Sequence, residues 1–192
     1  MSCAGATVDA THGSYAELHC VSNFSFLRGA SHPEELVERA AKLGYQALAL
    51  TDECSLAGVV RAHVAAKGYN IELIVGTELH LEDGPSLILL AADERGYANL
   101  CELITQARRA ANKGQYQINK VDFDKGIDGC LAILLPGENK AYAELLAEAD
   151  WLSRCFPGCC WLAVELLFGP ADDGRLQALE HLGRSAGLPL VA

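Results

Sequence analysis

The sequence predicts an α/β fold: a largely parallel sheet covered by helices, closed as a barrel or left as an open sheet. Two observations predict it. Short apolar runs alternate with segments of helical periodicity from residue 15 onward. Several runs are apolar at almost every position, among them ALAL at 47–50 and LILLAA at 87–92. Such runs suit strands buried on both faces, which needs helices on each side or a barrel interior.

The expected strands are 15–18, 46–51, 72–75, 86–92, 130–135, 160–166 and 188–192. The expected helices are 32–43, 55–67, 95–111, 138–155 and 172–186. In the first of these, Ser31 and Glu34 have capping-box spacing and Pro33 suits a first turn. Leu36, Ala40 and Leu43 mark its apolar face, and Gly44 closes it. The pattern amounts to about six βα units and a seventh strand, with 72–75 and 86–92 joined more directly. Residues 1–14 are small and polar without apolar period, and are expected to be a flexible N-terminus before a domain spanning 15–192. The chain stops on an apolar strand, LPLVA, so the domain is expected to be incomplete, the front of something longer.

Composition narrows the function classes. Of 192 residues 51% are apolar and 21% charged, which excludes disorder and a disulfide-stapled miniprotein. Fifteen basic against 25 acidic residues leave a net charge of −10, unfavourable for nonspecific binding of nucleic acid. The best local basic patch is Arg108, Arg109 and Lys113. None of the eight cysteines forms a C-x-x-C pair, and several lie in apolar runs, where Cys packs as a small hydrophobe. There is no secretory signal and no run long enough to span a bilayer. The expectation is a cytoplasmic location with free thiols and no membrane partner.

In βα barrels chemistry collects at the C-terminal ends of strands. Those ends offer His19, then Asp52 and Glu53, then Glu78, with Glu165 near the strand at 160–166. Imidazole and carboxylate donors suit Zn, Mn or Fe ions, which can activate water against a phosphate ester. The alternative is that these acids cap helices or form salt bridges at the rim. His80 could approach the rim or face solvent on an edge strand, whereas His12, His32, His63 and His181 occupy terminal or helical positions. Cys20 and Cys54 adjoin rim residues, as nucleophiles or as buried packing. Dinucleotide, P-loop and nucleophile-elbow motifs are absent.

The stretch YAELHCVSNFSFLRGASHPEELVERAAKLGYQALALTDECSLAGVVRAHVAA, 15–66, resembles the start of the PHP (polymerase and histidinol phosphatase) domain of bacterial C-family DNA polymerases. It is most similar to the error-prone branch, relatives of the replicative DNA polymerase III alpha subunit. LIVGTELHL at 73–81, LILLAADERGYANLCELIT at 87–105, LLPGE at 134–138, WLAVEL at 161–166 and GLPLVA at 187–192 continue the likeness in order.

The resemblance implies a distorted seven-stranded βα (TIM-like) barrel, truncated here at its C-terminal end. It also implies a metal cluster held by H-x-H-[ST], T-D-H and G-x-E motifs. The corresponding residues are His19-Cys20-Val21-Ser22, Thr51-Asp52-Glu53 and Gly76-Thr77-Glu78. His19, Asp52 and Glu78 match; Val21 cannot bind metal, and Glu53 stands where histidine is expected, as a substitute oxygen donor. The family's last Asp and His ligands fall beyond the final strand. Its middle ligands have no firm counterpart, with Cys130 and Glu165 as candidates. The implied function is the N-terminal piece of an error-prone, DNA-directed DNA polymerase in translesion synthesis. Its catalytic carboxylates and Mg²⁺ would lie elsewhere, with no catalytic residue in this piece. The piece itself is expected to be a scaffold, metal-poor or holding one weakly bound Zn²⁺ or Mn²⁺. Its expected partners are the remaining polymerase domains, DNA through them, and proteins of a mutagenesis complex. The alternative is a free-standing metal-dependent phosphoesterase or 3′–5′ exonuclease.

Overall fold

The structure, a computed structural model, describes residues 15–124, 126–137 and 140–192. The terminus 1–14 with His12 lies outside the described residues, as do positions 138 and 139 at the start of one expected helix. Seven strands form one sheet in chain order: β1 (Ala16–Cys20), β2 (Ala47–Leu50), β3 (Glu72–His80), β4 (Ser86–Ala91), β5 (Cys130–Leu135), β6 (Cys160–Ala163) and β7 (Leu190–Val191). Five helices connect them: α1 (Pro33–Lys42), α2 (Val59–Tyr69), α3 (Glu94–Arg109), α4 (Tyr142–Cys155) and α5 (Asp172–Ala186). A 3₁₀ turn at Lys120–Phe123 was not foreseen from the sequence.

The expected parallel sheet needs one correction. β4 runs antiparallel to both β3 and β5, while every other neighbouring pair is parallel. Residues 81–85 are too few for a crossover, so the chain turns straight back. Among the described residues the helical connections number five, one for each expected helix, so the loose count of about six βα units falls to five. The other six strands point one way and share one C-terminal rim. Among the described residues β1 and β7 do not pair, and the sheet is a half-barrel.

β3 runs to His80, not 75, because it changes partner midway. Residues 72–75 pair with β2, and 76–80 pair with β4. The switch falls at Gly76, where an added Cβ would sit 2.7 Å from the carbonyl oxygen of Leu89. Only a residue without a side chain lets the two backbones approach this closely. β6 is shorter than expected and leaves Glu165 two residues past its end.

The near-continuous apolar runs are explained by burial on both faces. In β4, Leu87 and Leu89 pack outward against Leu100 and Leu103 of α3, whereas Ile88 and Leu90 pack inward with Ala49, Ile133 and Ala163. A second outer core joins Val37 and Ala40 of α1 to Leu48 and Leu50 of β2 and to Val59 and Ala62 of α2. Each valine, leucine or isoleucine among them withdrawn from water contributes roughly 1.5–3 kcal/mol.

The α1 cap is shifted one residue from expectation. His32, not Ser31, is the N-cap, and its N–H donates to the Glu35 carboxylate at 2.8 Å. Glu34 is turned instead to Arg61 of α2. α2 begins at Val59 rather than 55, after Cys54 adopts a left-handed backbone (φ 44°).

Candidate functional site: a salt-bridge hub at the barrel rim

The sheet brings β1, β2 and β3 side by side, so the ends of these strands meet. A backbone bridge between Glu53 and Glu78 resumes the β2–β3 pairing three residues past the end of β2, and Cys54 N–H donates to the Glu78 carbonyl at 2.9 Å. His19 lies on β1, Glu78 and His80 at alternate positions of β3, and Glu165 just past β6.

Glu78 is the centre of the cluster and is 2% exposed. One of its oxygens is 2.9 Å from His19 Nε2 and 2.9 Å from Arg28 Nη2; the other is 2.9 Å from His80 Nε2. Burial opposes its ionisation. The hydrogen bonds from His19, His80 and Arg28 win and hold its carboxyl well below the usual range. His19 uses both ring nitrogens, with Nδ1 2.8 Å from the Glu165 carboxylate. Burial alone would lower its pKa; the hydrogen bonds to Glu165 and Glu78 instead raise it to about 9. The His19 hydrogen bond also lowers the Glu165 pKa, and the Glu78 hydrogen bond raises that of His80.

The hub gives a pH expectation. A histidine whose pKa rises from 6.5 unfolded to about 9 folded contributes stability fully below pH 6.5 and loses it as pH climbs through 9. Discounted for the partial exposure of the ring, the loss between about pH 7 and pH 10 is roughly 1–2 kcal/mol. Urea melts across that range should show this decline, and a much flatter one in His19→Gln. A His19→Gln profile parallel to the parent would refute it.

Asp52 is used otherwise. It is 1% exposed and turned into the loop between β1 and α1. Its Oδ1 accepts from Ser22 N–H at 2.8 Å and Ser25 Oγ at 2.7 Å, and its Oδ2 accepts from Ser22 Oγ at 2.6 Å. The carboxylate thus anchors the loop that carries Arg28. Glu53 faces the hub: Oε2 accepts from Arg28 Nη1 at 3.0 Å, and Oε1 from the Tyr116 hydroxyl at 3.0 Å. That hydroxyl also accepts the His80 backbone N–H at 3.1 Å.

Arg28, Ser25 and Tyr116 were not singled out from the sequence, and Ser22 entered only as the last position of the first motif. Arg28 had a usable signal: it is the one arginine or lysine in the segment between β1 and α1, opposite strand ends rich in acids. Tyr116 had none, because a long irregular segment delivers it. Other expectations are corrected. Arg108 is no free basic patch: its guanidinium donates to the carbonyls of Glu53 and Cys54 at 3.2 and 3.1 Å. His80 is not on an edge strand, since β3 lies between β2 and β4. Cys130 opens β5, at the end away from the rim, and is buried in the outer core. Burial pushes the Cys20 thiol up to about 12 and the Cys54 thiol up to about 11, so neither is a ready nucleophile at neutral pH.

These donors do not fit a divalent ion as they stand. Both His19 nitrogens face carboxylates, the Asp52 oxygens are taken by the two serines, and Glu53 and Glu78 share a guanidinium. Among the described residues no three His, Cys, Asp or Glu side chains are grouped so that they could hold a metal ion.

A half-barrel of seven strands with histidine and carboxylates at its rim defines a class, and the chain belongs to the PHP domain family, whose pattern matches residues 17–159. Over 93% of its length it is 55% identical to the error-prone DNA polymerase of Aromatoleum aromaticum, and 54% identical to that of Dechloromonas aromatica. It is 53% identical to the error-prone DNA polymerase of Pseudomonas aeruginosa, again over 93% of the chain. The chain spans only 17% of the length of each of these relatives. Two solved structures share the fold. One is a protein of Bifidobacterium adolescentis, provisionally described as a metal-dependent phosphoesterase (TM-score 0.65, 15% identity, 93% of this chain and 86% of that one). The other is an amidohydrolase of Chromobacterium violaceum with bound sulfate and no metal (TM-score 0.65, 20% identity, 91% and 84%).

Proposed function

We propose that this chain is the N-terminal PHP domain of an error-prone, DNA-directed DNA polymerase acting in translesion synthesis, and that it serves there as a scaffold. The observation that carries the reading is identity of 51–55% to a series of error-prone DNA polymerases, each matched over 93% of this chain. The polymerase carboxylates and their Mg²⁺ would belong to the rest of such a protein. Its remaining domains, DNA through them, and proteins of a mutagenesis complex are the proposed partners, and the cytoplasm the proposed location. No helix among the described residues is long and apolar enough to cross a membrane.

Two features support a scaffold over a hydrolase. The rim is internally neutralised by its own side chains. The rim also exposes apolar loop tips: Phe26 and Leu27 after β1, and Leu167 and Phe168 after β6, are each more than 80% exposed. Exposed apolar residues at one end of a sheet suit burial by another domain.

Primer extension tests the reading. The complete product of the gene should extend a primer past an abasic template site in Mg²⁺. The 192-residue chain should neither extend it nor shorten its 3′ end. Hydrolysis of a phosphate ester by the 192-residue chain, lost in both His19→Ala and Asp52→Ala, would instead establish the phosphoesterase alternative.

A further inference from the structure

Side chains of metal-ligand type converge on one position at the rim, and a guanidinium is there. Arg28 Nη2 is 2.9 Å from Glu78 Oε2. Its Nη1 is 3.0 Å from Glu53 Oε2 and 3.4 Å from His80 Nε2. His19 Nε2 approaches the same Glu78 oxygen at 2.9 Å. Carboxylates and imidazoles are ligand types that Zn²⁺ or Mn²⁺ accepts, although with Arg28 in place no three of them are grouped to hold one ion among the described residues. Here they surround the end of an arginine.

We propose that Arg28 is a built-in cation: it fills the place a divalent ion would take between Glu53, Glu78 and His80, and so keeps such an ion out of the rim.

Three features make the replacement effective. Guanidinium stays charged at any pH the protein survives, and its planar fork bonds two carboxylates at once. Arg28 is held by a rigid loop. Its backbone N–H donates to the Ser25 carbonyl at 3.0 Å, and the Ser25 hydroxyl is bound to Asp52. An arriving ion would also have to break both of its carboxylate bonds and leave the nearly buried Glu78 to be re-ligated. The block is one side chain deep. Removing the guanidinium leaves Glu53 without its cation and Glu78 with the two imidazoles alone, a gap between carboxylates where a small cation is favoured. The inference concerns only this chain's residues and stands whether or not the chain is part of a polymerase.

The test compares the 192-residue chain with Arg28→Ala, Arg28→Gln and Arg28→Lys. Each is melted in EDTA and in millimolar Mn²⁺, and bound Mn²⁺ is counted by equilibrium dialysis. The parent and Arg28→Lys should bind no Mn²⁺, and their Tm should move by less than about 1 °C. Arg28→Ala and Arg28→Gln should melt lower in EDTA, regain about 3 °C or more with Mn²⁺, and hold about one ion per chain. Stoichiometric Mn²⁺ on the parent overturns the proposal, as does failure of both neutral variants to gain an ion. If Arg28→Ala does not fold, Arg28→Gln keeps the side chain's reach, and the parent and Arg28→Lys still decide the first point.

Discussion

Replacing Asp52 by alanine should lower the thermal midpoint by about 8–15 °C. The carboxylate accepts three hydrogen bonds in a site 1% exposed. Alanine leaves the Ser22 N–H and the Ser22 and Ser25 hydroxyls without their acceptor. Each unsatisfied buried donor costs about 1–3 kcal/mol, and the three are coupled, so a total of roughly 3–5 kcal/mol is expected. For a chain of this size each kcal/mol moves Tm by about 2–4 °C. Asp52→Asn should be milder, because its carbonyl oxygen still accepts and its amide can donate to a rotated hydroxyl. A carboxylate kept for a metal would behave differently: without the metal, its removal would leave stability unchanged or raise it. Calorimetry in EDTA separates the two, and an Asp52→Ala midpoint within about 2 °C of the parent would contradict the anchoring role.

Gly29→Ala should cost about as much by a steric route. The Cβ would lie 2.0 Å from the Ser22 carbonyl oxygen and 2.9 Å from that of Val21. Both neighbours are backbone, so neither can rotate away. The turn that runs from Ser22 to Gly29 is closed by Ser25 N–H to Ser22 O at 3.0 Å and by Gly29 N–H to Ser25 O at 3.1 Å. It must open to admit a methyl group, at roughly 3 kcal/mol or more. The displacement also draws Arg28 off Glu78. Gly29→Ala should therefore both melt about 6–12 °C lower and share the Mn²⁺ response expected of Arg28→Gln. Normal melting with intact metal exclusion would mean that the loop does not position Arg28.

The two expectations show why the rim was only half legible beforehand. His19, Glu53, Glu78 and Glu165 could be placed there by counting to the ends of apolar runs, and the structure does bring them into one network through Arg28. Counting to a strand end says which end of the sheet a residue occupies. It does not say where the side chain turns. Asp52 adjoins Glu53 in sequence, yet alternation along an extended backbone sends them to different neighbours, one to the serine loop and one to the hub. The position of Arg28 depends on the folding of the turn from Ser22 to Gly29 just beyond β1, which carries no periodic signal.

The same division runs through the whole chain. Local pattern alone determined the α/β class, the sites of all seven strands, the helices between them and the doubly buried character of β4, because each reflects which residues must leave water. Long motifs in one order determined the PHP family, since many coincident residues specify a family where one short motif cannot. Tertiary structure decided the reversal of β4, the change of partner within β3 and the cation at the centre of the rim. The first follows from a connection too short to cross over, the second from Gly76 allowing two backbones to touch, and the third from electrostatics between groups 25 to 52 residues apart in sequence. Contacts at that separation are set by packing, and no local preference along the chain encodes them.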